Sequence, residues 1–525
     1  MAVLYYILVE IIFLLCYSSL VIIILIKLYL KTNRWVKNIL MKDKNLGQQY
    51  KNRTAILINV VLLTFMACLD SSIVNVALPV MAQSFDLGMN SVSIVVSSYL
   101  ITISAFILIF GRLGDLKGKV KIFKLGIIIF TLGSLLCALA TNLWILVVAR
   151  IIKAFGAAAF MATNQGIITM VYPHNQRGKA LGVIGSFVAF GTLVGPPLGG
   201  VIVNSVSWRY IFLINIPIGI FALIMGKCVL PKDGELANDR FDFKGAALLL
   251  VSIVTLFGAL LIGEQFGYTQ YYVLIGFAIA IISFVAFIFA EKKAHTPLLE
   301  LSLFKNKLFS VSLICAFIVF ITISVSNIIL PFYFQDALKL SPALSGMLLM
   351  ASPLVLAAVS PLSGYLSDKI GSEILTFIGL SITCCGMILM STLSIKFSPI
   401  AIVGFLSVLS LGSGMFQSPN SSLIMSSVAR NRFGIAGSIN AFVRNLGMVV
   451  GISFSNIILY QTMSFKLGYT VSTFSNGMET TFVFAMKTVY LAAAGLTAVG
   501  AIITAARYFV YRKSNKEEMT QLTID

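Results

Sequence analysis

Apolar residues run in stretches of about twenty, separated by short polar loops, from one end of this chain to the other. The stretches cover 4–26, 55–80, 92–110, 122–140, 143–165, 180–203, 208–230, 245–262, 271–290, 309–334, 344–366, 374–393, 400–428, 433–460 and 481–510. A helix of about twenty residues, rising about 1.5 Å per residue, crosses a hydrocarbon core of about 30 Å. Inside a bilayer the backbone must satisfy its own hydrogen bonds, which a helix does within one segment. The pattern therefore predicts fifteen spanning helices in an all-α polytopic membrane protein.

Composition agrees, because 58% of the 525 residues are hydrophobic and only 11% are charged. Soluble domains carry about twice that charge. The net charge of +19 would suggest nucleic acid if it were gathered in one domain, but it lies in short loops between apolar stretches. When the loops alternate between two sides, 30 of the 38 Lys and Arg fall on one of them. The positive-inside rule makes that side cytoplasmic, puts the C-terminus there, and puts the N-terminus of a fifteen-span chain outside. No nucleic-acid partner is expected. All seven cysteines lie in apolar stretches without C-x-x-C spacing, and His174 and His295 fall in polar loops. Neither a disulfide framework, a metal site nor a cofactor is expected from them.

An internal repeat organises the spans. GRLGDLKGKVKIFKLG, from Gly111, and GYLSDKIGSEILTFIG, from Gly364, share G-x-L-x-D-x-x-G and a further Gly fifteen residues after the first. Each copy follows the second span of a six-span block. The blocks are parallel repeats, a common transporter plan with the substrate site between the halves. The expected divisions are an accessory helix over 1–30, a basic juxtamembrane segment over 31–54, and a first six-helix bundle over 55–230. A linker with two inserted central helices over 231–300, a second bundle over 301–510 and a cytoplasmic tail over 511–525 complete the chain. The fold expected is thus two parallel six-helix bundles with two inserted central helices and one extra N-terminal helix. Translation from Met41 would instead leave fourteen spans and an N-terminus inside.

No G-x-x-x-x-G-K-[ST] phosphate loop occurs, which argues against nucleotide-driven pumping, and nothing resembles an ion-selectivity loop. No enzyme is expected. The chemistry rests instead on intramembrane charge. Asp70 interrupts the second apolar stretch at the cost of at least ~3 kcal/mol on insertion scales, so it needs a partner, a cavity or a proton. It lies fourteen residues beyond Ile56, about 21 Å along its helix. Arg150 lies at a similar depth on a helix that runs the other way, about 9 Å below the outer boundary, and the two can meet. Lys153, one turn from Arg150, adds a second cation to a span whose polar face should line a cavity, where it would set the charge of the substrate. A static ion pair is the plainer alternative.

In GTLVGPPLGG, Gly191, Gly195 and Gly199 recur every four residues and give one smooth helix face, followed by Gly200, while Pro196 and Pro197 remove backbone donors and are expected to kink the span. In GRLGDLKGK, Gly111 and Gly118 allow a tight turn, Asp115 can pair with Arg112 or cap the next helix, and Lys119 is placed to meet lipid headgroups. The second copy offers Gly364, Asp368 and Gly371. Polar residues on the presumed inner faces are candidates for a cavity wall. In the first half these are Asn75, Asn164 and Gln165. In the second they are Tyr333, Gln335, Asp336, Gln417, Asn420, Asn440 and Arg444, where Asp336 is the nearest candidate partner for Arg444 and an anionic substrate group is the other.

From residue 55 to 510 these motifs, with LDSSIVNVALP, ARIIKAFGAAA, WRYIFLINIPIGI, LPFYFQDALKLSPALSG and GSGMFQSPNSS, resemble in order and spacing the fourteen-span drug:proton antiporter branch of the major facilitator superfamily. The resemblance implies a proton-coupled multidrug exporter in the cell membrane that works by alternating access. It implies gating by the Gly111 and Gly364 loops and antiport through the glycine-proline helix, and the residues expected to couple the proton are Asp70, Arg150 and Lys153. The implied partners are a small-molecule substrate, protons and membrane lipids, with the chain acting as a monomer and its first helix free to dock a partner. Where the family usually has Gln-Gly after the arginine, this chain has Lys153 and Ala154, which departs from the usual coupling scheme. Export of one metabolite, lipid or anionic compound fits the same fold, and a non-transporting partner protein is the rival from another class.

Overall fold

The computed structural model describes residues 53–172, 174–233, 241–294, 297–429, 432–469, 471 and 477–522. The first apolar stretch, the basic segment up to residue 52 and His295 lie outside this set, as do the side chains of His174 and Asp368.

Fourteen helical spans, and no strand, occupy the described residues. The first half comprises α1 (Arg53–Phe85), α2 (Met89–Lys117), α3 (Lys119–Ala138), α4 (Leu143–Val171), α5 (His174–Ser205) and a sixth span made of α6 (Tyr210–Leu213) and α7 (Asn215–Val229). The inserted pair is α8 (Phe243–Phe266) and α9 (Tyr271–Lys293). The second half comprises α10 (Lys307–Phe332), continued as a π-helical turn over Tyr333–Ala337, then α11 (Pro342–Leu349) with α12 (Ala351–Ile370), α13 (Ser372–Ser391), α14 (Pro399–Ser426), α15 (Phe433–Leu467) and α16 (Glu479–Leu522). Sequence periodicity finds each span, but not the breaks at Ile214 and Met350 that divide two of them.

Helix starts are written in the loops. The side chains of Asn142, Asn306, Ser341 and Ser398 accept hydrogen bonds from backbone amides of the first turn that follows each of them. These amides have no partner within the helix, which is why Asn and Ser recur there. Gly118 and Gly371, at equivalent places in the two repeats, take φ of +105° and +93°. Only glycine adopts such turns without strain.

The repeat is also a packing device. A Cβ on Gly126, fifteen residues after Gly111, would fall 2.8 Å from the Gly156 carbonyl, so α3 lies backbone to backbone on α4. A Cβ on Gly379, fifteen residues after Gly364, would fall 2.7 Å from the Phe416 amide, and α13 lies on α14 in the same way. The glycine face of α5 meets α1: Cβ atoms at Gly191 and Gly199 would lie 2.7 Å from the Phe65 carbonyl and 2.6 Å from Ile73 Cγ1, and one at Gly195 would collide with Ser72 Oγ. The expected kink is not a break, because α5 stays one helix through Pro196 and Pro197.

The two halves meet at the end opposite the basic loops. There Asn456 of α15 donates to Ser93 of α2 at 2.9 Å, Gln335 donates to the Val76 carbonyl of α1 at 2.9 Å, and Gly200 and Gly346 allow α5 and α11 to touch through backbone atoms. A cavity between the halves extends from this seal towards the basic end, where Cβ atoms on its lining residues Gly182 and Gly185 would meet nothing within 4 Å.

Candidate substrate and proton site

Asp70, Arg150 and Lys153 meet in the first half, and all three side chains are wholly buried. One carboxylate oxygen accepts from Arg150 Nη1 at 2.6 Å. The other accepts from Lys153 Nζ at 2.5 Å and from Asn215 Nδ2 at 3.2 Å. Three elements place these groups: α1 brings the acid, one face of α4 brings both cations, and the break before α7 brings the amide at that helix's first residue. Sequence reasoning passed over Asn215, whose signal was Asn-Ile-Pro, a polar residue two before a proline inside an apolar span.

Aromatic rings complete the pocket. The Arg150 guanidinium lies 4.1 Å from the centroid of the Tyr99 ring, and Lys153 Nζ lies 4.7 Å and 5.0 Å from those of Phe130 and Phe212. Ring faces attract cations, most strongly away from water. Arg150 Nε donates to the Val95 carbonyl at 3.1 Å, whereas its Nη2 has no hydrogen-bond partner. Two cations therefore share one acid. Removing the acid would leave two buried charges unpaired, and breaking even one such pair costs about 3–5 kcal/mol.

This geometry corrects the expected place of Lys153. It does not line the cavity but points at Asp70, because α3 closes over it: a Cβ on Gly133 would fall 2.6 Å from Lys153 Cα.

The cavity has a volume of about 830 Å³ and reaches both halves. Of the candidate wall residues, Asn75, Gln417 and Arg444 line it. The others have different neighbours. Asn164 donates to Thr64 Oγ1 at 2.8 Å, Asn420 to the Ser312 carbonyl at 3.0 Å, and Tyr333 to the Ser394 carbonyl at 3.1 Å. Gln335 belongs to the seal, and Asp336 accepts from Gln83 at 3.4 Å instead of pairing with Arg444. Gln165 packs at Gly437, and Asn440 is half-buried away from the wall. Tyr99, missed in the sequence, touches both sites: its ring covers Arg150 and also lines the cavity.

At the basic end, Asp115 pairs with Lys119 at 3.0 Å, one turn along, and does not cap α3. Asp233, from the linker, takes that place and accepts from the Val120 and Lys121 amides at 2.8 and 3.1 Å. A Cβ on Gly118 would collide with its carboxylate. No group of His, Cys, Asp and Glu fit to hold a metal ion occurs among the described residues.

Residues 60–452 match the Major Facilitator Superfamily. The riboflavin transporter RibZ of Clostridioides difficile is 34% identical over 467 residues, which cover 89% of this chain and 99% of RibZ. The multidrug resistance protein Stp of Mycobacterium tuberculosis is 29% identical over 404 residues, covering 77% of this chain and 75% of Stp. Among solved structures, a bacterial homologue of the human lysosomal transporter Spinster, in an inward-facing and unoccupied conformation, superposes with a TM-score of 0.63 at 15% identity, covering 89% of this chain and 99% of that one. Matched by family, by relatives along most of its length and by fold, the chain belongs to the major facilitator superfamily, a family of multi-pass membrane transporters.

Proposed function

We propose that the chain is a proton-coupled exporter of amphiphilic compounds that works by alternating access, with its basic end in the cytoplasm. The observation that carries this reading is the buried acid shared by two cations beside the cavity wall. In the proposed cycle the inward state has Asp70 ionised, paired with Arg150 at 2.6 Å and Lys153 at 2.5 Å. When the halves rock and water reaches it from the other side, a proton on Asp70 weakens both pairs. Arg150 then shifts against Tyr99, and the change reaches the cavity through that ring. Substrate leaves in this protonated state. Return of the proton to the cytoplasm restores the pairs.

The test is proton release from purified protein in weakly buffered solution. Substrate that competes with the proton acidifies the solution, and the Asp70→Asn/Lys153→Gln protein gives no such signal. Equal release from both would remove Asp70 from the mechanism.

A second reading, transport of one polar aromatic metabolite, has the RibZ relationship behind it, since identity there extends over 89% of the chain. Binding of riboflavin in preference to unrelated amphiphilic dyes would favour it.

A further inference from the structure

We propose that the cavity selects amphiphiles carrying an anionic end group, which is held by Arg444 and Asn445 of α15 and by Tyr99 of α2. This rests on the reading of the cavity as the substrate site and does not depend on proton coupling.

Charge is the first argument. Among the described residues that line the cavity, Arg444 is the one charged side chain, and no acid joins it. Asp336, the acid that sequence offered as a partner, is bonded to Gln83 at the sealed end. Behind the Tyr99 ring lies a site with two cations for one carboxylate, so the field reaching the cavity from that side is also positive. A cationic amphiphile entering this space meets like charge from both halves, which disfavours it relative to an anionic one.

Unused donors are the second argument, and it is independent of the first. Arg444 Nε, Asn445 Nδ2 and Tyr99 Oη are all buried on this cavity without a hydrogen-bond partner. Asn445 and Tyr99 are only 4% and 1% exposed. Buried donors in native structures are nearly always paired, so these three, together with the Ser326 hydroxyl and the Asn75 side-chain oxygen that also lack a partner on this wall, mark where a ligand bonds, and four of the five atoms can donate. A carboxylate or sulfonate offers only acceptors and forms charge-assisted bonds to a guanidinium. The rest of the wall suits the body of an amphiphile: Leu100, Met161, Phe190, Phe320, Leu356 and Met448 are apolar. A few placed polar groups within an apolar pocket are the usual anatomy of a small-molecule site.

The experiment measures binding of three fluorescent compounds with one skeleton, 1-pyrenebutyrate, 1-pyrenebutanamide and 1-pyrenebutylamine, to the full chain in neutral detergent, with micelles alone as the blank. Pyrenebutyrate is expected to bind at least tenfold more tightly than the amine, with the amide between. Arg444→Gln should remove that preference, and Arg444→Lys, which keeps the charge, should retain most of it in protein that elutes as a single species. If Arg444→Gln does not elute as a single species, the order of the three compounds on the unaltered protein decides. Equal binding, or tighter binding of the amine, overturns the anion preference while leaving the cavity as the substrate site. No displaceable binding of any of the three overturns the cavity reading itself.

Discussion

Lys153 Nζ lies 2.5 Å from the Asp70 carboxylate, on the acid that Arg150 already holds at 2.6 Å, so one negative charge serves two positive ones out of reach of water. This changes what removal of the acid does. Asp70→Asn takes away the titrating group and also strands two cations, and it should lower the melting temperature by several degrees, corresponding to ~3–5 kcal/mol. Adding Lys153→Gln removes one stranded cation and should recover at least half of the loss. Thermal unfolding of the single and double variants in detergent measures this, and strictly additive losses would contradict the shared-acid geometry.

Glycine contacts between α1 and α5 give a second expectation. Gly195→Ala puts a Cβ onto Ser72 Oγ and should cost about 1–3 kcal/mol by overpacking. Gly111→Ala and Gly182→Ala, where a Cβ meets nothing within 4 Å, should be nearly silent. The comparison is of melting temperatures across the three variants.

Asp233 holds the first turn of α3 by two backbone amides. Asp233→Ala should cost about 1 kcal/mol and speed hydrogen exchange at Val120 and Lys121, with exchange in the α13 turn after Gly371 unchanged.

At the sealed end, Asn456 and Ser93 join the halves at 2.9 Å. A short bifunctional thiol reagent applied to Ser93→Cys/Asn456→Cys should arrest transport, and a reductant that cleaves it should restore transport. Transport that continues in fully cross-linked protein would show that the seal does not open during the cycle.

Much of this arrangement was legible before any coordinates. The meeting of Asp70 with Arg150 follows from helical rise, which fixes depth whatever the packing, and the glycine fifteen residues into each copy is visible as part of the repeat, although its role as a close helix contact in both halves is not. Rotation about a helix axis is harder to read. Arg150 and Lys153 share a face, and the side on which Lys153 points is settled by α3 pressing on it at Gly133, a contact between distant segments. The same difficulty separates Asn75, Gln417 and Arg444, on the cavity, from Asn164 and Asn420, whose amides bond to neighbouring helices. Within a membrane a polar side chain serves either purpose, and only the neighbour decides. Tyr99 was invisible because an aromatic residue in an apolar stretch carries no local sign of the guanidinium beneath it.

The most direct test of the central claim is uphill transport by Asp70→Asn/Lys153→Gln protein in liposomes, with a pH gradient as the only energy source. The substrate is whichever pyrene compound the unaltered protein binds and moves, and exchange of labelled for unlabelled compound is measured in parallel. Proton coupling through Asp70 requires that the variant retain exchange across the membrane but no longer accumulate substrate against its gradient. Accumulation equal to that of the unaltered protein would contradict it.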